Sequence, residues 1–368
     1  MIEYLEGHVA YDNPKPHLHS RHGYFPGLAQ LSTGEILCLF AMGEAFDAPT
    51  GTTYITRSKD QGRTWTLQGP LMDKSHEKIQ TSDSLKPTAL RNGNLIAIGY
   101  RFFRENPEQG TAIEETDGFV PGEDIVSHSS DAGHHWDEPA IVQHKRPELI
   151  EVSGPCIETY SGDLLAVGAL FKLPDGSNPS GPVGVLLRSR DQGRTWNDEK
   201  IFYDWQKITP YEARICEMQP GRLVVIVWAY DAATARHLPN QVTYSLDGGE
   251  SWSEPEDTGH MGQASNLVWL GGDYLASIHS HRGSDPGLYV RVVDFSNNRW
   301  KAVEEKAVWL PSAGYRTTNG LAMTEMFASL KFGQPSLLRV ADDEFLAAHW
   351  SIEGGQGRIR VHRLRISI

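Results

Sequence analysis

Ser189 to Trp196 read SRDQGRTW. Two arginines, an aspartate and a hydroxyl around a glycine have the look of a reactive site. Near copies argue otherwise. SKDQGRTW occupies 58–65, SSDAGHHW 129–136 and SLDGGESW 245–252. The shared pattern is Ser-x-Asp-x-Gly-x-x-Trp, and a unit recurring at long spacing marks a repeat architecture. Each residue type suits a turn. Ser and Asp side chains accept hydrogen bonds from turn N–H groups. Glycine permits a positive φ, and tryptophan supplies an apolar wedge. The intervening Lys59, Arg63, Arg190 and Arg194 are expected in solvent. Catalytic aspartates in four such turns would be spread around a rim and could not converge on one substrate.

A second repeat runs between the octets. GLAQLSTGEILCLF, PTALRNGNLIAIGY, PCIETYSGDLLAVG, RICEMQPGRLVVIV, NLVWLGGDYLASIH and SLLRVADDEFLAAH each place a turn between β-prone runs, the signature of a hairpin. In four cases a third run leads into the octet. The fifth ends in VVDFSNNRW, a worn octet that keeps Trp300. The sixth ends in GRIRVHRLRIS and lacks a fourth strand, which the N-terminal YLEGHVAY could supply, closing a ring. Six four-stranded antiparallel units predict an all-β, six-bladed β-propeller, one domain across 1–368. A short helix is expected at 321–330 (LAMTEMFASL). With strands A to D in a meander, the octets are C–D turns on one face. Strand-A starts and B–C loops lie on the other.

The chain has 368 residues, 39% hydrophobic and 22% charged, an ordinary globular composition with length for a large core. Lys+Arg minus Asp+Glu is 34 − 47 = −13. With no basic run, this disfavours nucleic-acid and anionic-membrane partners. No stretch reaches membrane-spanning length, and the mixed, acidic start MIEYLEGHVAYDNP does not read as a signal peptide. Cys38, Cys156 and Cys216 sit inside apolar runs, which fits a reducing compartment. The expectation is a soluble cytoplasmic protein. Its oligomeric state is not readable.

The octets and the blade count together resemble the Asp-box repeats of the sialidase superfamily, over essentially the whole chain. That resemblance implies a site at the central mouth, opposite the octets, and a carbohydrate substrate. The superfamily contains exo-glycosidases, a few lyases and proteins that only bind. Aligning the strand-A starts lines up Pro26, Pro87, Pro155, Ala213, Ser265 and Pro335, so the residues just before them point toward the mouth. YEARICEMQPGRLV looks like the sialidase segment in which a glutamate opens strand A and assists the nucleophile. The carry-over is Glu212, whose bland reading is a surface carboxylate at a strand end. The blade-one B–C loop AMGEAFDAPTGT would carry the acid/base aspartate, which is Asp47 with Glu44 as competitor. A partly buried loop carboxylate can have its pKa raised for that work. Alternatively, Asp47 caps its own turn before Pro49.

The resemblance also has gaps. Sialidases place an arginine two before the first proline, where this chain has Tyr24, and a tyrosine nucleophile at the start of blade six, where it has Gly333 and Gln334. Tyr315, beside Arg316 in the preceding link, is a substitute candidate. Further substrate-binding candidates are Lys86, Arg101 and Arg104 in blade two, Asp231, Arg236 and His237 in blade four, His279, His281 and Arg282 in blade five, and His349 in blade six. Singly, each could be a solvated loop residue. Together the basic groups suggest an anionic ligand. HLHSRH (His17, His19, His22) lacks a convincing zinc-ligand spacing, there is no phosphate-cradling loop, and no metal or cofactor is expected. Three readings follow. The first is an exo-glycoside hydrolase acting on a terminal, acidic sugar. The second is a polysaccharide lyase using His279, His281, His349 or Tyr24 as base. The third is a non-catalytic glycan- or protein-binding propeller.

Overall fold

The computed structural model describes residues 1–312, 315, 327 and 329–368. Six antiparallel sheets of four principal strands form a propeller ring. Blade 1 runs through His22–Gln30, Ile36–Gly43, Thr52–Ser58 and Thr66–Pro70. Blades 2, 4 and 5 repeat the meander from Thr81–Ala89, Thr209–Gln219 and Ser265–Gly271. In blade 3 the first strand is split into Ile150–Glu151 and Ile157–Glu158, on either side of Pro155. Proline has no N–H to give to the ladder. Blade 6 combines Phe332–Arg339, Glu344–Glu353 and Gln356–Ile366 with Ile2–Tyr11, which pairs antiparallel with Gln356–Ile366. The short helix expected at 321–330 falls almost wholly outside the described residues. Among those residues no helix is long and apolar enough to cross a membrane.

The blades are glued by apolar clusters between neighbouring sheets. Leu37, Leu39 and Ile55 of blade 1 meet Leu85, Leu95 and Ile125 of blade 2, and Trp136 packs against them. Trp196 joins the blade 2–3 cluster, Trp252 the blade 3–4 cluster, and Trp300 the blade 4–5 cluster. Trp65 packs where blade 6 meets blade 1. Each of these tryptophans therefore wedges its own blade onto the one before it.

The octets are tied internally in one recurring way. In SRDQGRTW the Ser189 hydroxyl donates to Asp191 at 2.8 Å and accepts the Gly193 N–H at 2.8 Å. Asp191 also accepts the Thr195 N–H at 2.9 Å, and Trp196 Nε1 donates to the Gly193 carbonyl at 3.0 Å. Gly193 has φ 86°, and a Cβ there would stand 2.3 Å from Ile96 Cδ1 of the preceding blade. Glycine is needed twice, for the backbone and for the approach. Three neighbours then clasp these turns from outside. Arg57 donates to Ala132 O, Arg188 to Gly248 O and Arg363 to Gln61 O, each reaching the octet of the next blade in the ring.

Candidate active site

On the face opposite the octets, four first strands are distorted at the same aligned position. The pairing slips between Tyr24 and Gly27, between Tyr211 and Arg214, and between Gly333 and Ser336. At each slip a non-glycine residue has positive φ: Phe25 at 54°, Glu212 at 48° and Gln334 at 40°. Ala264 of blade 5, at 76°, matches them. All four immediately precede the residues aligned from the sequence: Pro26, Ala213, Pro335 and Ser265. Such backbone is sparsely populated and costs about 1–3 kcal/mol per residue. Its effect is to re-aim side chains, so that consecutive Tyr211 and Glu212 both face one cavity.

That cavity measures about 160 Å³. Phe25, Phe46, Tyr100, Phe102, Phe171, Tyr211, Trp228 and Trp350 contribute aromatic walls. Among the described residues four carboxylates line it, Asp47, Asp83, Glu151 and Glu212, against one cationic residue, Arg282. Asp83 is absorbed into the scaffold: it accepts from the Thr53 N–H and hydroxyl at 2.8 and 2.6 Å and is ion-paired with Lys74.

Glu212 and Glu151 lie together. Gln334 Nε2 donates to Glu212 Oε1 at 2.8 Å, and the Glu212 N–H donates to Glu151 Oε2 at 3.0 Å. Glu151 is 7% exposed. Burial, and then the neighbouring Glu212 carboxylate, push its carboxyl well above the ordinary range. Beneath them Arg214 donates to Ser153 Oγ, Glu212 O and Ala213 O. Lys86 donates to Ser84 Oγ at 2.7 Å, and burial, aided by Arg214, pulls its ammonium down to about 7.

Asp47 stands in the blade-one loop and lines the same cavity. Arg104 donates to its Oδ1 at 3.1 Å, and the Thr111 N–H and hydroxyl donate to Oδ2 at 2.7 and 3.1 Å. Burial raises its carboxyl, and these donors pull it part of the way back.

Of the other expected residues, Arg282 and Gln334 line the cavity. Arg282 Nε donates to Phe332 O at 3.0 Å, and its guanidinium lies over Gly333, where an added Cβ would stand 1.8 Å from Nη2. That is the position at which the family resemblance would put a tyrosine. Tyr315 packs on Phe332, with ring centroids 5.2 Å apart. Arg316 lies outside the described residues.

Several expectations are corrected. Tyr24 is 3% exposed and packs edge-on to Phe46 and Trp350 in the core, so its neighbour Phe25 takes the mouth position. Glu44 is exposed and does not line the cavity. Arg101 is ion-paired with Glu77 and Glu123 on the far side of its strand. His279 is buried against His260 and Tyr289, and His281 is held by Met261 O at 2.9 Å. His349 is fully buried beside His362, with the ring nitrogens 3.1 Å apart. None of these six lines the cavity, and the basic cluster expected from Arg101, His279, His281 and His349 is not assembled there. His17 and His19 are exposed, while His22 accepts the Gly357 N–H.

Glu151 and most of the aromatic wall were not singled out from the sequence. Glu151 lies in the split first strand of blade 3, outside the two-residue window before Pro155. The aromatic positions of strand B were visible only as hydrophobic strand ends.

No protein-family model matches the chain, and no curated relative matches it. Solved structures do. A Dyadobacter fermentans protein of unknown function superposes with TM-score 0.76 at 20% identity, over 100% of this chain and 99% of that one. A Hadza microbial sialidase gives TM-score 0.70 at 15% identity, over 97% and 68%. The NanB sialidase of Streptococcus pneumoniae gives 0.64 at 11%, over 98% and 70%. The fold is a sialidase-like six-bladed propeller.

Proposed function

We propose that this protein is a glycoside hydrolase of sialidase-like fold, acting on a terminal sugar of a glycan. One observation supports this above the others: carboxylates from three blades, Asp47, Glu151 and Glu212, line a single aromatic-walled cavity. Glycoside cleavage uses one carboxyl that holds a proton and one that stays ionised, their pKa values pushed apart by environment. Glu151, buried beside Glu212, has the environment of the proton holder. Asp47, the acid/base candidate by family resemblance, is held by Arg104 and Thr111 and is the second candidate for that role. The lyase reading loses support, because His279, His281, His349 and Tyr24 do not line the cavity.

The test is hydrolysis of aryl glycosides of sialic, uronic, neutral and amino sugars by the wild-type chain, Glu212→Gln and Asp47→Asn. Turnover that collapses in Glu212→Gln supports the reading. Sugar binding without turnover in the wild type would favour the binding-propeller alternative.

A further inference from the structure

The floor of the mouth gathers acceptors from three residues, Glu151, Glu212 and Gln334. Gln334 points its amide nitrogen at Glu212, which leaves its Oε1 as the other end. Gln334 is 5% exposed and lines the cavity, and this oxygen has no hydrogen-bond partner among the described residues. A buried amide oxygen left unpaired is costly, so the site favours an occupant that donates to it. Glu212 engages Gln334 through Oε1, and Glu151 engages the Glu212 N–H through Oε2, so one oxygen of each carboxylate remains for a ligand.

The nearby cations already serve the protein. Arg282 donates to Phe332 O, Arg214 to Ser153, Glu212 O and Ala213 O, Lys86 to Ser84, and Arg104 to Asp47. A ligand carboxylate brings acceptors only. It would face Glu212 and Gln334 even with a proton on Glu151. Hydroxyl and ammonium groups donate, and the apolar face of a sugar ring suits the aromatic walls.

Resting on the hydrolase reading above, we propose that the sugar meets Glu151, Glu212 and Gln334 with hydroxyl or ammonium donors and presents no carboxylate there. It is a neutral or amino sugar, not a sialic or uronic acid.

Calorimetric titration of the full chain with methyl galactoside, methyl glucosaminide, methyl glucuronide and the methyl glycoside of N-acetylneuraminic acid tests this, alongside hydrolysis of the matching 4-nitrophenyl glycosides. Neutral or amino glycosides are expected to bind at least tenfold more tightly than the two acids. Gln334→Asn, which tolerates the left-handed backbone but withdraws the amide, is expected to weaken that binding about tenfold at unchanged melting temperature. Acidic glycosides bound or cleaved as well as neutral ones would overturn the substrate class and leave the hydrolase reading standing. Unchanged affinity in Gln334→Asn would overturn the role of the orphan acceptor. If no glycoside of the panel is bound or cleaved, the hydrolase reading falls and this inference with it.

Discussion

The two faces of the propeller use the same carboxyl group in opposite ways. On the octet face, the Ser251 hydroxyl and N–H hold Asp247 at about 2, and the N–H and ring of His135 hold Asp131 below its ordinary value. At Asp60 and Asp191 partial burial works the other way, yet the threonine and serine donors still bring both to about 2. At the mouth, burial is the largest influence on Asp47 and Glu151, and both carboxyls are raised. Donors aimed at a carboxylate favour its charge, and desolvation disfavours it. The octets tie the fold with aspartates that stay ionised down to strongly acidic pH. The mouth holds carboxyls that can keep a proton, which is what acid–base work requires.

The sharpest break in that comparison is Glu212→Gln. Glycoside hydrolysis should fall by about 10²–10⁴-fold, with the melting curve retained. An octet change should do the reverse. Gly193→Ala puts a Cβ against Ile96 at positive φ, and should cost about 2–4 kcal/mol in chemical denaturation, while the folded fraction keeps its kcat/KM. Loss of specific activity in Gly193→Ala at full folding would erase the division between the faces.

The octets and hairpins were legible because they repeat, and repetition exposes turn chemistry that one copy hides. Glu212 was legible from the resemblance of YEARICEMQPGRLV to a sialidase segment, and the alignment of Pro26, Ala213 and Pro335 marks the position just after the bulge that aims it. The misplaced residues share a cause. A strand shows only alternate side chains to one face. Tyr100 and Phe102 face the cavity, so Arg101 between them turns away. Arg282 and Trp350 line it, which excludes His281 and His349. His279 and His281 share one face of their strand, so neither can join Arg282 at the mouth. Tyr24 failed in the other direction, since the bulge at Phe25 moves the mouth position along by one.

Smaller tests follow from pH. Glu151 has a raised carboxyl in the folded chain and an ordinary value near 4.3 unfolded. Its burial therefore costs nothing below the unfolded value, and the penalty grows as pH rises toward the folded one. Glu151→Gln removes the penalty, so its melting temperature should equal wild type near pH 4 and exceed it at pH 8, as stability gained where function is lost. Equal melting at both pH values would mean that Glu151 ionises as easily folded as unfolded.

The smallest effect belongs to the octets and has the opposite sign. Asp247 is depressed to about 2, so it contributes stability above its unfolded value near 3.9 and loses it as pH falls through about 2. Asp247 is exposed, so solvent screens most of this. The observable is a slope: between pH 4 and pH 2 the melting temperature of Asp247→Asn should fall less steeply than that of wild type, while above pH 5 the two run parallel. If Asp247→Asn instead shifted the pH dependence above neutrality, toward which burial raises Glu151, the two faces would be electrostatically coupled and the separation argued from their hydrogen bonding would not hold.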